Sequence, residues 1–262
     1  MTAPNSAYED GATWASGPQP VYRRLAAHAL DVLGSDLAGK QILDAGAGTG
    51  AMTLELLARG AGVVATDLSS SMLAELRRQT DGRVPTKVAD IRELPFDDAI
   101  HDSAVAGFVV NHLAEPATAV AEMARVTKPG GVVLTTSFGI DDHPVKTAIE
   151  ELLRSHGWTP PDWYTHLKVN VMPLTATVDA FATVGREAGL ANIQVDAIDV
   201  EFVDLPPSAV AAYRLGMGHA SPFVSALSED ERAGLVTEAE EAAAAAPALR
   251  LPLLVLHGVS RA

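Results

Sequence analysis

Between residues 41 and 138 the chain alternates short apolar runs with helical stretches of about ten residues, and this alternation decides the fold class. Apolar runs fall at 41–45, 62–66, 86–89, 102–110 and 131–138, and helical spacing falls at 51–59, 70–78 and 116–126. Strands that alternate with helices imply βαβ units, and hence a mainly parallel sheet covered by helices on both faces. The runs 105–110 and 132–136 fit such doubly covered strands, because they are almost continuously apolar rather than alternating. The expected class is therefore α/β, with a Rossmann-like sheet.

The alternation breaks after Phe138. Residues 139–177 hold Trp158, Trp163, Tyr164, three His and four Pro with weak periodicity, and read as an inserted cap. A helix at 178–189 and a strand at 193–202 resume the pattern. A second insertion covers 205–249, with a helix start at Ser228, where Glu231 completes a capping box. Residues 250–259 supply a last strand. Ahead of the core, Val21, Leu25, Ala29 and Leu33 predict a helix over 20–34, and residues 1–18 read as an arm. The 262 residues are read as one domain: an arm and helix over 1–35, a core over 36–138, and helical lid insertions at 139–177 and 205–249.

Composition narrows the function classes. The chain has no cysteine, which removes disulfides, zinc–thiolate sites and thiol catalysis. Nineteen basic residues against 33 acidic ones give a net charge of −14. Affinity for nucleic acid comes largely from Lys and Arg on phosphates, so neither DNA, RNA nor an anionic membrane is an expected partner. No run is apolar enough to span a bilayer and no secretory leader is legible, so the expected location is the cytoplasm. The expected partner is a small-molecule substrate, and the chain is expected to be a monomer or a homodimer.

The most informative segment is Ile42-Leu43-Asp44-Ala45-Gly46-Ala47-Gly48-Thr49-Gly50. Alternate glycines after a strand let the backbone turn tightly and approach a ligand, with the next helix N-terminus facing it. Gly46, Gly48 and Ala51 also satisfy a dinucleotide pattern. Asp44 argues against that reading: a carboxylate under the loop opposes a pyrophosphate but suits an ammonium group. Asp67, at the end of the second strand, can accept ribose hydroxyls, and Asp90, after the third, can accept an adenine amino group. The competing reading for all three aspartates is loop capping at strand ends.

Taken in order, these segments resemble the motifs of class I S-adenosylmethionine (SAM)-dependent methyltransferases. Val64-Ala65-Thr66-Asp67 resembles the ribose-binding strand end and Val88-Ala89-Asp90-Ile91 the adenine-contacting one. Gly107–Leu113 resembles the fourth strand end, and Thr127–Gly131 the turn before the fifth strand. The resemblance implies a seven-stranded sheet ending in an antiparallel hairpin, with SAM or S-adenosylhomocysteine at the C-terminal strand ends. It places Asp44, Gly46, Ala47, Gly48, Gly50, Asp67, Leu68, Met72, Asp90, Ile91, Phe108 and His112 at the cofactor. The arm resembles that of the small-molecule, secondary-metabolism branch, which offers Tyr8 and Trp14 as cofactor contacts; anchoring of the arm is the other reading.

Methyl transfer from a sulfonium is an in-line displacement in which the protein supplies placement and water exclusion. A hydroxyl nucleophile also gains from a general base. His112 and His143 are the candidates, with His166 and His219 in the insertions, and a structural role is open for each. No metal site is legible; Asp141, Asp142 and His143 are too local to make one. Trp158, Trp163, Tyr164, Met172, Tyr213, Met217 and Phe223 can line a pocket under the insertions or form a satellite core there. Low charge over 206–227 favours a largely apolar acceptor, consistent with O-methylation in natural-product biosynthesis. The alternative is a cyclase on the same scaffold, closing a polyketide ring and keeping SAM as a structural group. A non-catalytic SAM binder and an NAD oxidoreductase are weaker readings, the last opposed by Asp44 and by the turn at 128–131.

Overall fold

A computed structural model describes residues 10–140 and 143–261. Seven strands form one sheet: β1 (Gln41–Ala45), β2 (Gly62–Asp67), β3 (Thr86–Val88), β4 (His101–Ala106), β5 (Thr127–Phe138), β6 (Ala191–Phe202) and β7 (Leu249–Val259). Their order is β3-β2-β1-β4-β5-β7-β6. β1 pairs in parallel with β2 and with β4, whereas β7 is antiparallel to both β5 and β6. The order in which strands are added reverses between β1 and β4, which opens a crevice at their C-terminal ends. The sequence expectation of a Rossmann-like seven-stranded sheet with a closing hairpin holds.

Eleven helices are described: α1 (Gly11–Ser16), α2 (Gln19–Ala29), α3 (Ala51–Ala58), α4 (Ser70–Gln79), α5 (Pro116–Val126), α6 (Pro144–Ser155), α7 (Asp162–His166), α8 (Val178–Glu187), α9 (Pro207–Leu215), α10 (Ser221–Ala226) and α11 (Glu229–Ala245). The strand period of two sorts the core onto two faces. Ile42, Val105, Leu251, Leu253 and Val255 join one cluster with residues of α2, α3, α6, α9 and α11. Leu43, Ala104, Ala106, Leu254 and Leu256 join the other with residues of α5 and α8. α2 buries Val21, Tyr22, Leu25, Ala26 and Ala29, the stripe that helical periodicity produces. No helix among the described residues is long and apolar enough to cross a membrane.

Three segments differ from the sequence expectation. The apolar run 102–110 is not one strand: β4 ends at Ala106, Phe108 turns to φ +56°, and Val110–His112 form a 3-10 turn. Continuous apolarity cannot locate a strand end, and here the Phe108 N–H leaves the ladder for the Thr136 hydroxyl. The cap over 139–177 is more helical than its periodicity suggests, because α6 buries only Val145, Ile149 and Leu153. The third difference is how the insertions pack. Trp158, Val210, Tyr213, Leu235 and Ala239 belong to the same cluster as β7, so they extend the main core rather than build a satellite one. The capping box holds: the Glu231 carboxylate accepts from the Ser228 N–H, and the Ser228 hydroxyl accepts from the Glu231 N–H.

Candidate functional site

The crevice at the switch point holds a partly open cleft. Its lining comes from both sides of the reversal. Asp44, Gly46 and Ala47 leave β1, Gly107 and Phe108 leave β4, and Ala51, Met52, Tyr22 and Ala26 come from α3 and α2.

The glycine loop is built by backbone geometry. Gly46 and Ala47 both donate to the Thr66 carbonyl, at 2.7 and 2.8 Å, which ties the loop to the end of β2. Gly46 lies at φ +77°, and a Cβ there would meet Val109 Cγ2 at 2.4 Å. Gly48 differs: at φ +54°, its Cβ would have nothing within 4 Å. At this point the loop presents bare backbone to open space. Gly50 caps α3 without any side-chain hydrogen bond, leaving the positive end of that helix toward the loop.

Under the loop, Asp44 is completely buried. One carboxylate oxygen accepts from the Thr53 hydroxyl at 2.5 Å, and Oδ1 has no hydrogen-bond partner among the described residues. Burial pushes its carboxyl up to about 7, with nearby Asp67 adding to the rise against the Thr53 hydrogen bond. A buried carboxylate oxygen left over in a cleft fits a cationic donor, and an ammonium there would restore the ionised form.

Asp67 is half-buried, and each of its oxygens accepts one backbone N–H, from Gly48 and from Ser69, both at 2.8 Å. Burial raises its carboxyl above the usual range. The capping reading is thus realised, yet each oxygen keeps a second lone pair for a hydroxyl. Asp90 is more exposed. Its carboxylate is gripped by the Arg92 guanidinium, at 2.5 Å to Nη2, which holds it below its ordinary value. Ile91 and Met72 are buried, while Leu68 is 49% exposed beside Asp67.

Aromatic rings wall the other side. Phe108 stacks on Phe138 at 4.4 Å and meets Tyr22 edge-on at 5.0 Å, and Tyr22 lies 5.3 Å from Trp14 of α1. Trp14 therefore reaches the wall through Tyr22; Tyr8 lies outside the described residues, as do Asp141 and Asp142. Tyr22, Met52 and Phe138 were not singled out in the sequence, because each sits in a run that reads as ordinary core.

The histidines separate clearly. His112 follows β4, and burial pushes it down to about 4, so its imidazole is neutral at neutral pH. His143, the other candidate base, is a clamp: Nε2 donates to the Ala248 carbonyl at 3.0 Å, and Nδ1 accepts from the Val145 N–H at the start of α6. Both ring nitrogens are committed to backbone, so His143 is a capping residue in this fold. His166 contacts Asn170 on its own helical turn. His219 is buried and stacks on Tyr164 with ring centroids 3.9 Å apart.

Residues 43–135 match the methyltransferase domain family. Demethylmenaquinone methyltransferase of Clavibacter sepedonicus is 40% identical over 111 residues, 42% of this chain and 45% of that protein. The chain spans about half the length of such curated relatives. Among solved structures, a putative methyltransferase of Haloferax volcanii, in complex with the Trm112 activator, aligns with TM-score 0.62 at 22% identity, over 100% of this chain and 99% of that one. The [4+2]-cyclase SpnF aligns with TM-score 0.53 at 19% identity, over 91% of this chain and 81% of that one. The motif set, the strand order and the family match agree: residues 43–135 carry the methyltransferase-family match, and the sheet has the strand order of the class I methyltransferase fold.

Proposed function

We propose that the protein binds SAM in the cleft between β1 and β4 and transfers its methyl group to a small molecule. The observation that carries this reading is the buried Asp44 carboxylate, whose Oδ1 lacks a partner at the floor of the glycine cradle. An amino-acid ammonium completes that oxygen, and the bare backbone at Gly48 leaves room for close approach. Asp67 would hold the ribose on its free lone pairs, with Asp90, Ile91, Leu68 and Met72 on the adenine side. S-adenosylhomocysteine would occupy the same contacts as product.

Bound SAM supplies an electrophilic methyl on a sulfonium. The chain's own part is to bind, align and dry the acceptor. Phe108, Phe138 and Tyr22 form a rigid wall beside the cleft that excludes water from the reacting face. Burial pushes the His112 imidazole down to about 4, so it is a weak base at neutral pH. Acceptors that ionise readily, such as phenols or enols, suit such a site. O-methylation of a natural product is the preferred form of this reading.

The weakness of that base also favours the second reading, a cyclase that keeps SAM intact and shapes its substrate with the aromatic wall. One experiment separates them: methyl-deuterated SAM is incubated with the protein and a metabolite extract, and products are read by mass spectrometry. A labelled product with S-adenosylhomocysteine supports methyl transfer. A metabolite converted to an isomer of equal mass, with SAM unchanged, overturns it in favour of the cyclase.

A further inference from the structure

Behind the aromatic wall lies a cationic cluster in a chain whose net charge is −14. Its centre is Arg214, near the end of α9. Arg214 is only 7% exposed, its Nε has no hydrogen-bond partner, and no carboxylate of the described residues lies within ion-pair distance. The guanidinium sits over the Tyr213 ring at 5.6 Å, and its positive charge acts on the Tyr164 hydroxyl. Tyr164 stacks in parallel on His219, and Trp158 donates to the His219 carbonyl at 3.1 Å. These aromatic contacts hold the guanidinium in place without neutralising it.

The surrounding charges do not supply a counterion either. Burial and the positive charges of Arg214, Lys168 and Lys146 all push the His219 imidazole down, so it stays neutral. Lys146 lies over Phe138 at 5.4 Å. The carboxylate that acts on Tyr164 is Glu150, which Lys168 and Arg154 share at 3.7 and 3.0 Å. One positive charge, that of Arg214, is therefore left buried without a carboxylate. An arginine cannot shed its proton to escape burial, and a buried charge is costly unless an anion meets it.

The cluster adjoins the cleft. Phe108 and Tyr22 line the cleft; Phe138, against Phe108, carries Lys146 on its ring, and Tyr213, 6.2 Å from Tyr22, carries Arg214. Arg214 thus stands one ring beyond the cleft wall. Its planar guanidinium is the kind of fork that takes a carboxylate through two parallel hydrogen bonds.

We propose that Arg214 is the specificity-determining residue of an acceptor subsite, and that the acceptor is an amphipathic molecule with one carboxylate, anchored on the Arg214 guanidinium with its apolar body along Tyr164 and Phe138. A single uncompensated guanidinium matches a single negative charge, so a monoanionic carboxylate is favoured over a phosphate dianion. This rests on the cleft being the donor site, and it adds one carboxylate to the largely apolar acceptor expected from the low charge over 206–227.

The test is calorimetric titration of the whole chain, saturated with S-adenosylhomocysteine, using octanoate, 4-hydroxybenzoate and indole-3-acetate against their primary amides. At least one acid is expected to bind about tenfold or more tightly than its amide. Arg214→Gln and Arg214→Met should abolish that preference, and Arg214→Lys should retain part of it, all with unchanged affinity for S-adenosylhomocysteine. If no acid outbinds its amide on the wild type, or if the preference survives in Arg214→Gln, the subsite is overturned. Folding of the variants is read separately: Arg214→Met should melt at or above wild type, and a large fall in melting temperature with unaltered selectivity makes Arg214 structural. Failure of S-adenosylhomocysteine itself to bind sinks the donor assignment instead, and the acid–amide comparison is then read without it.

Discussion

The two ends of the proposed site are made of different material. The donor end, at β1 to β3, is mostly backbone: three glycines at positive φ, N–H groups tied to Thr66 and Asp67, and one buried carboxylate. The acceptor end is mostly side chain: Arg214, His219, Tyr164 and Trp158, delivered by segments up to about sixty residues apart in sequence. Backbone-built sites need particular residues at fixed local spacing. Side-chain-built sites need only that distant elements pack together, which sequence spacing does not record.

Breaking the backbone end should have the larger consequences. Gly46→Ala places a Cβ against Val109 at a residue with φ +77°, and is expected to cost about 3 kcal/mol in denaturant unfolding and to abolish S-adenosylhomocysteine binding. A loss under about 1 kcal/mol would mean the loop is looser than described.

Asp44 sharpens the comparison through pH. Its carboxyl is raised from 3.8 to about 7, so the folded chain keeps a proton that the unfolded chain releases. Between those values the ligand-free protein loses stability as pH rises, on the order of a few kcal/mol. Asp44→Asn carries no such group. Its stability relative to wild type should therefore be near level at the low end of the window and increase toward pH 7 and above. A pH-independent difference in urea midpoints would contradict a buried carboxyl with one unpartnered oxygen.

His143→Ala tests whether the histidine at the start of α6 is a clamp or a base. Loss of its bonds to Ala248 and Val145 should cost about 1–2 kcal/mol in thermal unfolding and leave turnover per folded molecule unchanged. A collapse in turnover with intact stability would return it to the chemistry. The smallest effect belongs to Asp90→Ala: an exposed pair with Arg92 should contribute less than about 1 kcal/mol to stability, and any change should appear as a few-fold loss of S-adenosylhomocysteine affinity in calorimetry.

The donor end was legible because Asp44, Gly46, Gly48, Asp67 and Asp90 lie at strand ends that alternation alone locates. Even there, the sequence could not reveal that Asp67 already accepts two backbone N–H groups or that Asp90 is held by Arg92. Phe108 was placed near the site but inside a strand, since apolarity does not mark the residue at which the chain turns to φ +56°. At the acceptor end Tyr164, Trp158 and His219 were named as lid residues, while Arg214 was passed over in a segment of low charge. A single arginine among apolar neighbours looks like a surface residue until α9 is seen packed against α11 and the core.

The proposed donor site requires that the cleft take an amino-acid ammonium onto Asp44. Calorimetric titration of wild type and Asp44→Asn with S-adenosylhomocysteine, and with methylthioadenosine, which lacks the amino-acid part, measures this directly. Wild type should prefer S-adenosylhomocysteine by about tenfold to a hundredfold, as a charge-assisted bond to a buried carboxylate contributes, and Asp44→Asn should lose most of that preference. Equal binding of the two ligands to wild type, or a preference that survives the substitution, would contradict the assignment of Asp44 and with it the proposed donor site.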